Sequence, residues 1–398
     1  MTRKYFLLFI FLLINSVDSF ADMQERIIAA EKNYLANRFL NAVFKFEDDE
    51  KILITGAKGI FSLNGDQLKT NEVMPVSSGI KPITAAGILR LQDKGLLNVN
   101  DKIYQYLDAD IWQGVIPDWA YKISIHNLLT HTSGLAEYFG LVKLDFNMPQ
   151  KEVNKKIIQY VTTKPLEVQI GKKYNYSHTN FILLGMIIEE VSGQNLADFF
   201  RDEFFNPLHM KSTKLASFHE AIEFQKNNVS ANYPLRYFVE PTNGNSKPIF
   251  SLANLDFVAR PYADIGIVSS SCDLIKWYKA INQGKVLSKK SYKLMTTKYF
   301  LAEDDNGHTT YTGYGIFITE LDKKHVVIHH SGNALGIRSE VGYVVPNNFY
   351  FAILSNVIVK IPDEKKDKIN MDNPANQLDI VYFRDAIINA AIAEDEDE

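Results

Sequence analysis

Tyr174-Asn175-Tyr176-Ser177-His178-Thr179-Asn180-Phe181 leads into Leu183-Leu184-Gly185 and Glu189-Glu190-Val191-Ser192-Gly193, and the run closes at Asn206-Pro207-Leu208-His209-Met210. Behind the tyrosine-rich start, apolar residues recur at helical spacing, so Phe181 to Val191 and Asn195 to Phe205 read as amphipathic helices. Mainly helical character extends over about residues 100 to 260, broken by long loops rich in Asn, Pro and Tyr. On either side the pattern turns to β. Asn41-Ala42-Val43-Phe44-Lys45-Phe46 and Ile52-Leu53-Ile54-Thr55, separated by the turn-prone Asp48-Asp49-Glu50, predict an antiparallel hairpin. After Pro261, Tyr314 to Ile318, Val326 to His330, Val341 to Val345 and Tyr350 to Leu354 predict strands, and Gln377 to Ala393 predicts a closing helix. Strands at both ends of one chain imply a single sheet. The expected architecture is a two-lobed α+β protein, with a sheet lobe of about residues 22–75 and 261–390 and a mainly helical lobe of about 76–260 inserted between its strands.

Upstream of that run stands Ser78-Gly79-Ile80-Lys81, at the start of a helix predicted from Ile80 through Lys94 and stopped by Gly95-Leu96. A spacing of three on a helix puts the hydroxyl and the amine on one face. Serine is a poor nucleophile at neutral pH, and a lysine accepts its proton only where burial and nearby cations depress the amine pKa. The helix N-terminus adds positive potential for a developing oxyanion. Pro82 removes one amide from the first turn, at the expense of the Ser78 carbonyl alone. Downstream lies His330-Ser331-Gly332, followed by Asn333-Ala334-Leu335-Gly336. Each short motif is common by itself, and their ordered occurrence in one chain is what carries weight.

Two further segments complete the order: Leu128-Leu129-Thr130-His131-Thr132-Ser133-Gly134-Leu135 and Gly266-Ile267-Val268-Ser269-Ser270-Ser271-Cys272-Asp273-Leu274. Together, from roughly Phe39 to Asn356, the chain resembles the family of class C serine β-lactamases, low-molecular-weight penicillin-binding DD-peptidases and related esterases. The resemblance implies a β-lactamase/transpeptidase-like fold, an antiparallel sheet flanked by helices, as one domain over 22–390. It aligns Tyr176 with the family's catalytic tyrosine. Ser78, Lys81 and Tyr176 become the catalytic set, with the choice of base between Lys81 and Tyr176 left open. It implies that the strand of His330, Ser331 and Gly332 docks substrate, with His330 facing the cavity, and that the amides of Ser78 and Asn333 form the oxyanion hole. The loop of His131 shapes the rim of the site in this family, so His131 is expected in a packing or turn role, not in a triad.

His178 stands where the family usually has asparagine, whose amide donates and accepts at once. An imidazole there still donates from one nitrogen, with a charge able to change near neutral pH, which disfavours efficient β-lactam hydrolysis. The His330 version of the third motif resembles DD-peptidases and D-amino-acid-specific peptidases of the family. The expected function is an exported serine hydrolase acylated on Ser78, a D-alanyl-D-alanine carboxypeptidase-like peptidase or an esterase. The alternatives are a catalytically weak protein that binds peptidoglycan or peptides, and a class C-like β-lactamase. Specificity is expected from loops near residues 136–165 and 215–260, which carry no readable motif.

The chain has 398 residues, 46% hydrophobic and 12% aromatic, enough to bury a large core. A formal charge of -4 gives no general attraction to nucleic acid or an anionic bilayer. The single Cys272 forms no internal disulfide, and no zinc motif, metal site or organic cofactor is implied. Thr2-Arg3-Lys4, the apolar Tyr5 to Ile14 and Ser19-Phe20-Ala21 predict a signal peptide over 1–21, cleaved after Ala21, and a periplasmic or secreted location. Ten apolar residues reach only about 15 Å as a helix, half a hydrocarbon core, so no stable membrane anchor is expected. Residues 391–398 read as an acidic, solvated tail.

Overall fold

Eight antiparallel strands form the central sheet: β1 (Ala42–Glu47), β2 (Ile52–Lys58), β3 (Phe300–Asp305), β4 (His308–Thr312), β5 (Phe317–Glu320), β6 (Val326–Ala334), β7 (Ile337–Val345) and β8 (Phe349–Ser355). Their order is β2-β1-β8-β7-β6-β5-β4-β3, so the N-terminal hairpin completes a sheet begun at the other end of the chain. This computed structural model describes residues 23–38, 40–61, 66–107, 110–112, 114–142, 148–216, 237–239, 248–250, 262–305, 308–334, 337–359 and 380–393. The expected signal peptide, the end of the acidic tail and most of the 215–260 loop lie outside these residues.

The hairpin forms where turn chemistry predicts it, because the Asp48 carboxylate accepts the amides of Glu50 and Lys51, both at 2.8 Å. β8 is buried along its whole length, as a strand covered on both faces must be. Phe349, Phe351 and Ile353 join one core and Tyr350, Ala352 and Leu354 the other, with the period of two that a pleated strand imposes. The first core packs the sheet against α1 (residues 23–37) and against a helix of the C-terminal segment, Ile380–Ile392. There Phe383 meets Tyr34 and Phe44 edge-on, at 5.1 and 4.9 Å between ring centroids. Each such buried ring contributes about 1.5–3 kcal/mol.

The opposite face carries the helical lobe. α2 (Lys81–Asp93) runs through its centre, with α3 (Ile125–Leu129), α4 (Gln150–Thr162), α5 (His178–Ser192), α6 (Leu196–Phe200), α7 (Ser271–Asn282) and α8 (Lys289–Met295) around it, and the C-terminal helix is α9. α2 is buried from Lys81 through Leu89 and again at Leu91, and its Arg90, Gln92 and Asp93 lie outside that buried set. Several elements differ from expectation. The helix predicted from Asn195 to Phe205 is α-helical only through α6 and continues as a π-helical turn, Arg201–Phe205. The predicted strand at Tyr314 starts only at Phe317, because Gly315 (φ 64°) turns the chain and Gly313 N–H bonds to Ile316 O. α1, β3 and β4 are not among the expected elements, although Met23, Ile27, Ala30 and Tyr34 of α1 recur at helical spacing and face one core. No helix among the described residues is long and apolar enough to cross a membrane.

Candidate active site

Ser78 sits in a 3-10 turn, Ser77–Ile80, that runs straight into α2. The Lys81 amide bonds to the Ser78 carbonyl, so Pro82 does not leave that carbonyl without a partner after all. Ser77 lies in the left-handed region at φ 54°, a conformation a non-glycine residue holds only where its surroundings fix it. Lys81 is fully buried, and its ammonium donates to Ser78 Oγ at 2.9 Å and to the Asp264 carbonyl at 2.8 Å. Burial lowers its pKa to about 8, against the opposing pull of Asp264 and Glu137.

The carbonyl that holds Lys81 is placed by close packing. A Cβ on Gly185 would stand 2.6 Å from Ala263 Cβ, so only glycine lets α5 approach residues 262–263. One helical turn beyond Lys81, Thr84 Oγ1 donates to Ala263 O at 2.7 Å. The Asp264 side chain is buried as well, accepts Tyr138 OH at 2.8 Å, and is raised in pKa by desolvation. No motif marks Asp264 or Tyr138 in the sequence.

Tyr176 OH donates to Ser78 Oγ at 3.1 Å, and its ring lies 5.1 Å from Lys81 Nζ. Burial pushes the Tyr176 pKa upward, which keeps the phenol protonated. His131 stacks on that ring, 4.3 Å between centroids. Its Nδ1 accepts the Ser177 amide at 3.2 Å and Asn180 Nδ2 at 3.1 Å, and Ser133 Oγ donates to Asn180 Oδ1 at 2.6 Å. An imidazole accepting twice at Nδ1 is neutral, and burial holds its pKa well below the ordinary value. His131 therefore supports Tyr176 and touches neither Ser78 nor Lys81 by hydrogen bond.

β6 flanks the Ser78 turn. A Cβ on Gly332 would lie 2.1 Å from Val76 O and 3.2 Å from Ser77 Cβ, so this glycine permits the contact. Ser339, the cross-strand partner of Gly332 on β7, donates to Val76 O at 2.8 Å. β5 begins at Phe317 opposite His329, so among the described residues no strand pairs with 330–334 on that side. His330 shares the face of Gly332, is buried, and places Nδ1 2.7 Å from Ser331 O. A carbonyl accepts only, so Nδ1 carries the proton and Nε2 is the open acceptor. Burial, then Lys81, hold the His330 pKa well below its ordinary value. The Ser331 side chain does not share the face of His330 and Gly332. Strand alternation turns its hydroxyl to the far face beside Glu340, whose carboxylate binds Arg384 of α9 at 2.6 Å. Only the main chain of Ser331 lies on the edge that flanks the Ser78 turn, and the side chain of Asn333 is exposed.

His178 opens α5, and its ring stands edge-on to Tyr176 at 5.3 Å and stacks on Phe139 at 4.8 Å. Glu137, unmarked in the sequence, holds it: Oε2 accepts the His178 amide at 3.0 Å and sits 2.9 Å from His178 Nδ1. Oε1 accepts the amides of Tyr138 and Phe139, both at 2.7 Å. Burial raises the Glu137 pKa, and the bonds from His178 and these amides outweigh it, so the carboxylate is held below its ordinary value. Among the described residues no group of three or more His, Cys, Asp or Glu side chains could hold a metal ion.

A family model described as Beta-lactamase matches residues 27–375. Penicillin-binding protein 4* of Bacillus subtilis (strain 168) is 27% identical over 334 residues, covering 81% of this chain and 65% of that protein. The chain thus spans less than two thirds of that relative's length. Two solved structures superpose over nearly the whole chain. D-amino acid amidase from Ochrobactrum anthropi SV3, complexed with L-phenylalanine amide, gives a TM-score of 0.70 at 19% identity, over 93% of this chain and 98% of that one. EstCE1, a hydrolase with promiscuous acyltransferase activity, gives 0.66 at 16% identity, over 92% and 98%. At such identities the likeness is one of fold. Because the family match begins before the first strand of the sheet and ends beyond the last, and the helix-flanked antiparallel sheet agrees with it, the chain belongs to the Beta-lactamase family of serine hydrolases.

Proposed function

We propose that this protein forms an acyl-enzyme on Ser78 and hydrolyses a peptide or amide ending in a D-amino acid, or an ester. The observation that carries the reading is the fully buried Lys81 amine, 2.9 Å from Ser78 Oγ with a pKa lowered to about 8. Once neutral, Lys81 takes the Ser78 proton as Oγ bonds to the substrate carbonyl carbon, and negative charge moves to the carbonyl oxygen. The amides of Ser78 and Asn333 are assigned to that oxyanion. Collapse breaks the bond to the leaving group, which departs with the proton from Lys81, and water then cleaves the acyl ester. Tyr176, kept protonated by burial, donates to Oγ and steadies it, so Lys81 rather than the phenol is assigned as base. Residues 1–21 are assigned to export, which puts the enzyme in the periplasm or outside the cell.

Intact-mass analysis after incubation with a penicillin tests this. The parent gains the mass of one whole penicillin, while Ser78→Ala and Lys81→Ala gain none. A folded parent that neither forms the adduct, nor consumes penicillin, nor cleaves a short-chain ester overturns the reading.

A further inference from the structure

Two imidazoles at the site are anchored in the same sense. His330 gives Nδ1–H to the Ser331 carbonyl, and His178 places Nδ1 2.9 Å from the Glu137 carboxylate. Held ionised by its own donors, that carboxylate can only accept, so the proton between them belongs to His178 Nδ1. In the neutral ring this leaves Nε2 as a lone-pair acceptor. Among the described residues Nε2 of neither ring has a hydrogen-bond partner, and neither is a sealed, unpaired atom. The His178 side chain is 14% exposed, and its ring stands against the tyrosine that donates to Ser78 Oγ. A substrate carbonyl lying against these two acceptors would meet lone pairs and lose its water without replacement, whereas an N–H would be satisfied.

We infer that Glu137 is a positioning residue that locks the His178 ring so that its Nε2, together with Nε2 of His330, selects acyl donors bearing an N–H beside the scissile carbonyl. The preferred substrate class is then an amino-acid or N-acylamino-acid derivative, not a simple carboxylic ester. The inference rests on the acylation of Ser78. An asparagine at position 178 would rotate its amide to donate or accept, so histidine with Glu137 narrows what asparagine leaves open.

The test compares two activated esters, of N-acetyl-D-alanine and of its analogue with the amide N–H replaced by CH2, at about pH 9, above the ordinary imidazole range. The ratio of their kcat/KM values is the readout, because misfolding lowers both alike. The parent prefers the N–H ester by about three- to tenfold, the worth of one hydrogen bond. Glu137→Ala and His178→Asn bring the ratio toward one, and Glu137→Gln, whose carbonyl still accepts from Nδ1–H, keeps most of it. An unchanged ratio in Glu137→Ala and His178→Asn overturns the inference while turnover of both esters leaves the Ser78 reading standing. A parent inert toward both esters overturns the two together.

Discussion

Replacing Gly332 by alanine isolates the contact on which the site's alignment depends. The new methyl would stand 2.1 Å from Val76 O, 2.3 Å from Ser339 Oγ and 3.2 Å from Ser77 Cβ. Ser339 can rotate its hydroxyl, at the loss of its 2.8 Å bond to Val76 O, but the backbone oxygen cannot move aside without dragging Ser77 and Ser78. Strand and turn must therefore separate by about 1 Å, and overpacking of this kind costs about 1–3 kcal/mol of stability. A shift of that size between nucleophile and strand lowers reactivity about 100-fold. The assay is the second-order rate of penicillin acylation, with Tm measured alongside. Gly332→Ala is expected to lose about two orders of magnitude in rate while Tm falls only a few degrees. Gly332→Ala/Ser339→Ala should recover little, since the clash with Val76 O remains. Parent-like acylation by Gly332→Ala would refute the claim that β6 seats the nucleophile.

Three other outcomes follow from buried charge. Lys81 has its pKa lowered from 10.5 to about 8, so below pH 8 the folded protein carries a buried ammonium, and the stability from this group rises as pH climbs from about 8 to 10.5. Lys81→Met should raise Tm at pH 7, by up to about 3 kcal/mol in stability, and the gain should shrink toward pH 10.5; a gain independent of pH contradicts the assignment. Parent acylation should rise with pH through about 8 for the same reason. Arg384→Leu leaves the fully buried Glu340 carboxylate without its 2.6 Å partner and should cost about 3–5 kcal/mol in denaturant unfolding, and a loss below about 1 kcal/mol would show that Arg338, 3.5 Å from the same carboxylate, takes over its pairing.

What the sequence reveals about this molecule is whatever is local or ordered along the chain. The β1–β2 hairpin is legible because an aspartate at position 48 makes its own turn, and α2 because its apolar residues keep helical spacing to Gly95. Ser78, Lys81 and Tyr176, drawn together in space, are legible through the order of their motifs. Glu137 and Asp264 are not, because their partners lie 41 and 183 residues away and nothing in a single sequence joins them. The side chain of Ser331 illustrates a different limit. His330-Ser331-Gly332 reads as one motif, but a strand sends alternate residues to opposite faces, so its middle hydroxyl lies beyond the sheet. Strand β3 lies at the edge of the sheet with the polar β4 (His308–Thr312) beside it, and their pairing leaves little hydrophobic signature.

The bond from Ser339 to Val76 O spans 263 positions of sequence. A ribosome that has reached residue 320 has already made Ser78, Lys81 and Tyr176, yet it has made neither the strand against the serine's turn nor the hydroxyl that fastens it. Closing so long a loop is entropically expensive until the last strands dock, which places the step late in folding. Reactivity at Ser78 is therefore acquired with the C-terminal strands, and a chain cut short before β7 is expected to be chemically silent toward a penicillin even where its helices have formed.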